Sequence, residues 1–245
     1  MIDEWGKGAK YWDHAWNPMI GCRKVSEGCA NCYAARLAAQ YPELQSADGG
    51  FEPHPPKNLR NPPKKGVVFC GNMTDLFGDW NSYDRIRDWL KLIAVRGDLD
   101  NAEYLILTKR TARLAGKMST VAHFGMTAEN QQRYDERISD FRCFEQPGVP
   151  WLSAEPLLGP IDMGLRYIAP EDMPFRWVVV GAESGPNRRP CKIEWVRNIV
   201  RECRLVGVRV FVKQLDLDGK LEKDIAKFPE DLQIRQVPWR AWRDR

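Results

Sequence analysis

The 245-residue sequence has no long hydrophobic run, only three histidines and no strong excess of either charge. Its longest strand-like apolar run, residues 177–180, is far too short to cross a membrane, and no basic N-terminal stretch precedes an apolar one. The seven cysteines are odd in number and unevenly spread, which argues against a disulfide framework and favours a reducing compartment. We therefore expect a soluble, cytoplasmic protein that does not enter a membrane. The net charge of +4 permits a nucleic-acid partner without requiring one.

Three of the cysteines, Cys22, Cys29 and Cys32, crowd into one short segment near the N-terminus. This spacing favours ligands of one metal centre over buried, unliganded thiols. Three thiolates can hold a [4Fe–4S] cluster through three of its irons and leave the fourth iron open, whereas a closed cluster needs a fourth cysteine. Gly21 and Gly28 precede two of these cysteines, where a chain wrapped round a cluster needs freedom in φ and close backbone approach. The remaining cysteines are expected in the core: Cys70, Cys143, Cys191 and Cys203.

Short apolar runs bounded by turn residues predict buried strands. They lie at residues 67–70, 104–107, 121–126, 150–153, 177–180 and 208–212, with one more strand expected just before Cys22. Amphipathic segments at residues 83–95, 131–141 and 193–206 and an alanine-rich one at 33–40 predict helices. Alternating strands and helices favour a parallel sheet with right-handed crossovers. We expect an α/β fold with six or seven strands in one domain over residues 1–245.

Polar side chains follow most of the predicted strands. In chain order they are Asn72 and Asp75, Thr108 and Lys109, Thr127 and Glu129, Glu155, and Glu183. The C-terminal ends of parallel strands form one face of an α/β architecture, and active sites gather there. We therefore expect these side chains around one cavity, with the cysteine loop on its rim.

The cysteines belong to a longer set of motifs: Trp16-Asn-Pro-Met-Ile-Gly-Cys22, Lys24-Val-Ser26, Gly28-Cys29 and Asn31-Cys32-Tyr33-Ala34. These motifs resemble a phage-associated family within the radical S-adenosylmethionine (SAM) superfamily. The resemblance continues at residues 72–77, 107–110, 127–130, 153–160, 180–186 and 213–214. It departs from the commonest superfamily spacing, because six and then two residues separate the cysteines instead of three and then two. Asn31 also stands where an aromatic residue is frequent in the superfamily, so an adenine contact is not carried over to that position, and Tyr33 is the candidate substitute.

The resemblance implies a partial, open parallel β/α barrel whose core covers about residues 16–214, followed by a basic, tryptophan-bearing extension at 215–245. It implies a [4Fe–4S] cluster on the three cysteines, SAM as cofactor, a 5′-deoxyadenosyl radical, and an electron donor such as a flavodoxin-type reductase. The expected SAM-binding residues are Gly71, Asn72, Lys109, Ser153 and Glu155. The candidate catalytic residues are Lys109, Glu155 and Glu183. A phage-encoded chain would work in the host cytoplasm.

Two basic segments favour a nucleic-acid substrate. One is proline-rich and contains Lys57, Arg60, Lys64 and Lys65; the other contains Arg235, Arg240, Arg243 and Arg245 with Trp239 and Trp242. Arginine interleaved with tryptophan suits phosphate contact and base stacking, and the alternative is a tail whose tryptophans dock on the core. With the phage-type resemblance, the expected reaction is rearrangement of an amino-acid-decorated thymidine in DNA hypermodification.

Other functions stay open. The substrate could be a tRNA or a free nucleoside. The chain could also be a non-catalytic zinc module that adds a histidine, His14 or His54, to three cysteines. A third possibility is a DNA-binding accessory protein that keeps the barrel without turnover. Iron and labile sulfide content separates the zinc module from a radical SAM enzyme, and SAM cleavage separates the accessory protein.

Overall fold

The computed structural model describes residues 9–100, 102–114 and 122–238, which form one eight-stranded sheet with four α-helices. The strands are β1 His14–Trp16, β2 Val67–Cys70, β3 Glu103–Thr108, β4 His123–Thr127, β5 Trp151–Ala154, β6 Trp177–Gly181, β7 Arg209–Leu217 and β8 Lys220–Glu222. The helices are α1 Tyr33–Gln40, α2 Tyr83–Asp100, α3 Gln131–Arg142 and α4 Ile193–Val206. The strands neighbour one another in chain order. The expected α/β fold with a parallel sheet is confirmed.

The sheet is parallel from β1 to β7, and β8 alone runs antiparallel. Seven parallel strands reach the upper expected number, but the eighth strand is additional. It forms a hairpin with β7 through Asp218 and Gly219, both at positive φ. In the described part of the chain β1 and β8 are the two free edges, so the sheet is not closed.

The strand expected just before Cys22 is wrong in position. β1 ends at Trp16, because the next two residues do not continue it. Pro18 has no backbone N–H to donate to a neighbouring strand. The Asn17 side chain accepts from the Met73 amide at 3.0 Å, so that amide bonds to a side chain and not to strand backbone. The chain then pairs briefly with the later loop, where Ile20 forms an isolated bridge with His54.

The sheet separates two apolar layers, since successive side chains of a strand point to opposite faces. The larger layer lies between the sheet and the helices, and it includes Cys70, Cys191 and Cys203. These three cysteines are core residues as expected. The fourth, Cys143, was also expected in the core but is exposed. It directly follows the last turn of α3, and the next residue, Phe144, takes the buried position.

The smaller layer is aromatic and surrounds Tyr11. The ring of Tyr11 lies 6.3 Å from Phe69 of β2 and 5.5 Å from Phe211 of β7, centroid to centroid, and it also contacts Trp151 and Trp177. In a flat sheet β2 and β7 would stand about 24 Å apart, because neighbouring strands are about 4.8 Å apart. The sheet therefore curves round Tyr11.

The C-terminal part packs on this core as far as it is described. Ile225, Phe228 and Leu232 are buried, and the Gln236 amide donates to the Val210 carbonyl at 2.9 Å. Arg235, expected among phosphate-contacting side chains, turns inward instead and donates to backbone carbonyls, including that of Lys223 at 2.7 Å. The other residues of that basic segment lie outside the described residues: Trp239, Arg240, Trp242, Arg243 and Arg245. Within the described ranges, no helix combines the length and apolar character that a membrane crossing requires.

Candidate functional site

A cavity of about 240 Å³ lies at the carboxyl ends of the parallel strands. The three cysteines of the N-terminal loop line it, together with side chains from the loops after β2, β3, β5 and β6. The sequence-predicted residues found on its wall are Gly71, Asn72, Asp75, Thr108, Lys109, Thr127, Ser153, Glu155 and Glu183. Residues separated by up to about 160 positions are thus brought together, as strand polarity predicts.

The cysteine loop is folded by contacts with the protein itself. Residues Glu27–Cys29 form one turn of 3-10 helix, which takes up the long spacing between the first two cysteines. Gly21 has a φ of +89°, and a Cβ there would lie 2.2 Å from the backbone oxygen of Glu52. A Cβ on Gly28 would lie 2.2 Å from a carboxylate oxygen of Glu129. Both glycines therefore permit close approach, but the approaching groups are protein atoms.

Glu129, just after β4, ties this loop to the sheet. It is fully buried behind the cavity wall and does not line the cavity, so it lies behind the rim on which it was expected. Its carboxylate accepts from Ser26 Oγ at 2.7 Å, from Lys109 Nζ at 2.7 Å and from Arg137 Nη1 at 2.8 Å. Burial opposes ionisation, but the charges of Lys109 and Arg137 outweigh it and lower the pKa of Glu129 to about 2.

Glu183, after β6, holds the other end of the loop. Its carboxylate accepts from the Asn31 side chain at 2.9 Å and from the Arg189 amide at 2.8 Å, and it forms an ion pair with the Arg189 guanidinium. Arg189 Nη1 also donates to the Glu27 carbonyl at 2.9 Å. Burial raises the pKa of Glu183, yet the Arg189 and Asn31 hydrogen bonds leave it below its ordinary value. This candidate catalytic carboxylate is thus engaged in holding the cysteine loop.

Asp75 organises the loops after β2 and β3. Its carboxylate accepts from Thr108 Oγ1 at 2.8 Å, from the Lys109 amide at 3.1 Å and from Arg110 Nη1 at 3.0 Å. Arg110 then reaches the cysteine loop, where Nη2 donates to the Arg23 carbonyl at 2.8 Å. The carboxylates of Glu129, Glu183 and Asp75 each follow a strand, and together they hold the cysteine loop, Asp75 through Arg110.

Glu155 occupies a different part of the wall, where it meets Lys213 of β7. The Lys213 ammonium lies 2.9 Å from Glu155 Oε1 and 5.8 Å from the ring centres of both Tyr11 and Trp12. Burial, and then the charge of Glu155, raise the pKa of Tyr11 well above its ordinary value. Ser153 Oγ stands 3.5 Å from the same carboxylate. Sequence reasoning included Lys213 in a motif without a role and missed Tyr11, which has no polar pattern around it.

The donor set fits a cluster held through three irons. All seven cysteines are free, and the only ones lining the described cavity are Cys22, Cys29 and Cys32. Burial, followed by the charge of Asp75, raises the pKa of Cys22 to about 12, so metal binding there must displace a proton. The described residues contain no group of three His, Cys, Asp or Glu side chains placed to hold a single metal ion. A [4Fe–4S] cluster does not need such a group, because each cysteine binds a different iron.

The histidines of the zinc alternative belong to different elements of the fold. His14 is exposed on β1. His54 pairs through its backbone with Ile20, and its Nδ1 lies 2.9 Å from the Glu52 carbonyl. His54 is therefore the histidine that the fold brings nearer to the cysteine loop.

The basic, proline-rich segment runs from the cavity rim to the opposite end of the sheet. Phe51, just before it, lines the cavity, and its carbonyl accepts from the Cys22 amide at 3.0 Å. Lys57 and Arg60 follow this rim contact, whereas Lys64 and Lys65 directly precede β2 and so lie at its amino end, away from the cysteines. All four side chains are exposed.

Fold and site together define an α/β protein whose parallel strand ends and three-cysteine loop border a cavity lined by both polar and apolar residues. Residues 7–238 match the family described as "Protein of unknown function (DUF5131)". The match spans nearly the whole sequence, so the chain belongs to this family. Comparisons with curated proteins and with solved structures gave no match. Function must therefore be argued from the site.

Proposed function

We propose that the chain is a radical SAM enzyme in which Cys22, Cys29 and Cys32 hold a [4Fe–4S] cluster. The observation that carries the proposal is that three free thiols on one loop line the same cavity as the polar strand-end residues. Three protein ligands leave one iron open, as binding of a cofactor to the cluster requires. The curvature of the sheet round Tyr11 supports the associated partial-barrel fold.

When bound, the cluster and SAM would supply a 5′-deoxyadenosyl radical that removes hydrogen from a substrate C–H bond. The residues of the chain would bind these two groups and orient them. Gly71 and Asn72 lie on the loop after β2, where the Asn72 carbonyl accepts from the Tyr33 hydroxyl beside Cys32, and they suit the SAM amino group. An ammonium has three donors, so Lys109 can bind the SAM carboxylate while it donates to Glu129.

The far wall offers groups for ribose hydroxyls or for the substrate. Glu155 is held there by Lys213, and Ser153 stands beside it. Apolar side chains such as Phe51, Phe69 and Leu107 complete the cavity wall. They limit the access of water to the cavity, and a reactive radical requires that water be excluded.

Metal analysis tests the proposal. After anaerobic reconstitution with iron and sulfide, we expect brown protein with about four irons and four sulfides per chain. Cys29→Ala should lose both, while Cys143→Ala, which changes an exposed cysteine outside the cavity, should retain them. Colourless protein that binds zinc would contradict the proposal and favour the zinc module.

The proposed substrate is an amino-acid-decorated thymidine in DNA. Support comes from Lys57 and Arg60, which are exposed on the segment that continues from the cavity rim. A base must leave its stack to reach a radical in a cavity, at a cost of about a few kcal/mol. Phosphate contacts near the rim would offset part of this cost and make binding depend on salt.

Salt titration of DNA binding tests this substrate. Replacing both Lys57 and Arg60 by alanine should lower the slope of log K against log salt by about 2, because each phosphate contact contributes about 0.9. Replacing Lys64 and Lys65 by alanine removes the same charge at the far end of β2 and serves as the control. Turnover of a tRNA or a free nucleoside without detectable DNA binding at low salt would contradict it.

A further inference from the structure

The Ser26 hydroxyl connects the buried Glu129 carboxylate to Cys29. Ser26 Oγ lies 2.7 Å from Glu129 Oε1 and 3.8 Å from Cys29 Sγ. A hydroxyl has one hydrogen to donate, and the ionised carboxylate is the stronger acceptor of the two. The hydrogen of Ser26 is therefore directed to Glu129, so the Cys29 thiol is the donor in the longer contact.

The Glu129 carboxylate also forms ion pairs with two cationic side chains beneath the cysteine loop. Lys109 lies on one carboxylate oxygen at 2.7 Å and Arg137 on the other at 2.8 Å. Arg137 is buried, and its Nη1 donates in addition to the Thr127 carbonyl at 2.8 Å. One carboxylate and two cations leave this buried group with a net positive charge. Without Glu129 the two cations would place two positive charges beneath the loop instead of one.

A purely structural anchor would not need a charged carboxylate in this place. Burying an ion pair is costly, and packed apolar residues of similar volume often stabilise a fold as well or better. The absence of a side chain on Gly28 is what lets the carboxylate come so close to the loop. The arrangement points to control of the cysteine that Ser26 touches.

Building on the proposed function, we propose that Glu129 is a positioning residue that acts on Cys29 through Ser26. It fixes the turn Glu27–Cys29 against the sheet, and it keeps the Ser26 hydrogen away from the Cys29 sulfur. Hydrogen bonds to cluster sulfurs and the net charge nearby set the reduction potential of an iron–sulfur centre. Glu129 therefore holds that potential low, which makes the reduced centre a stronger electron donor.

The first test needs no metal. The Cys29 amide donates to the Ser26 carbonyl at 3.0 Å and the Ala30 amide to the Glu27 carbonyl at 3.1 Å, so hydrogen exchange at these two amides reports on the turn. Ser26→Ala should accelerate their exchange about tenfold or more, as loss of a hydrogen bond to a charged group implies. Ser26→Thr keeps the hydroxyl and should restore protection. Unchanged exchange in Ser26→Ala would overturn the proposal.

The second test measures the midpoint potential of the reconstituted centre by redox titration. Glu129→Gln should shift it to a more positive value, because a negative charge beside the loop is lost and the neutral amide oxygen is a weaker acceptor for the Ser26 hydrogen. The matched control is Glu202→Gln, since Glu202 is another buried carboxylate, accepting from the Met163 and Leu165 amides on the helix side of the sheet. An equal shift in both variants, or none in Glu129→Gln, would refute the role.

The two tests separate this proposal from the proposed function. If the wild-type chain takes up no iron, the proposed function fails while hydrogen exchange still decides whether Ser26 and Glu129 fix the turn. If Glu129→Gln does not fold, Ser26→Ala still tests the proposal, because it leaves the side chains of Glu129, Lys109 and Arg137 in place. Its expected effect is faster amide exchange in the turn, with the fold retained. Iron uptake with normal exchange in Ser26→Ala would contradict only the positioning role.

Discussion

Gly28→Ala is the single substitution that tests the packing beneath the cysteine loop most sharply. The new Cβ would lie 2.2 Å from Glu129 Oε1, 2.5 Å from its Cγ and 2.7 Å from its Cδ. Non-bonded heavy atoms prefer about 3.5–4.0 Å, so the carboxylate must move by about 1 Å or more. That displacement breaks its hydrogen bonds to Ser26 and Lys109, both 2.7 Å long.

The expected loss combines overpacking with a weakened charged hydrogen bond. Overpacking costs about 1–3 kcal/mol, and the displaced carboxylate adds to it, so the free energy of unfolding should fall by about 2–4 kcal/mol. The melting temperature should then fall by about 4–16 °C for a chain of this size. Gly28 has no positive φ, so the backbone itself accepts alanine and the loss reports the contact.

Chemical denaturation of wild type and variant provides the assay. Gly50→Ala is the control, because its Cβ would meet only Ser46 Oγ, at an ordinary 3.5 Å, and its free energy of unfolding should stay within about 0.5 kcal/mol of wild type. A Gly28→Ala variant as stable as this control would refute the close packing of Glu129 against the loop.

Three further predictions concern the same network and the sheet beneath it. The pKa of Glu129 lies near 2, below the ordinary 4.5, so its contribution to stability is complete above about pH 5 and is lost as the pH falls toward 2. Lys109→Met removes a charge that lowers this pKa, so the loss should be smaller and should be complete at a higher pH than in wild type, as unfolding measured against pH will show. Gly125→Ala places a Cβ 2.4 Å from Trp151 and should lower the free energy of unfolding by about 1–3 kcal/mol, and an unchanged denaturation midpoint would contradict this. Asn31→Ala removes two side-chain hydrogen bonds and should accelerate amide exchange in the cysteine loop, with little change in distant helices.

Sequence periodicity predicted the regular elements well. The bounds of α1 and α4 agree with the structure at both ends, and α4 stops at Gly207, which adopts the left-handed conformation typical of a helix C-cap. The convergence of strand-end residues on one cavity also followed from sequence, because strand polarity is a property of the parallel architecture. The hairpin to β8 was missed although Asp218-Gly219 is a strong turn signal.

Side-chain partners could not be predicted in the same way. Lys109 was expected at a cofactor carboxylate, and its ion pair with Glu129 depends on how β3 and β4 are aligned. The contact of Arg189 with the Glu27 carbonyl joins residues 162 positions apart, which no local pattern encodes. Ser26 likewise shows no sign in the sequence of bridging a carboxylate and a cysteine.

The central claim is that this cavity performs radical SAM chemistry. The most direct measurement is 5′-deoxyadenosine formed from SAM by the anaerobically reconstituted, reduced chain. The account predicts that wild type produces it and that Cys32→Ala, which removes one cluster ligand, does not. Wild-type protein that holds about four irons per chain and releases no 5′-deoxyadenosine under reducing conditions would contradict the account.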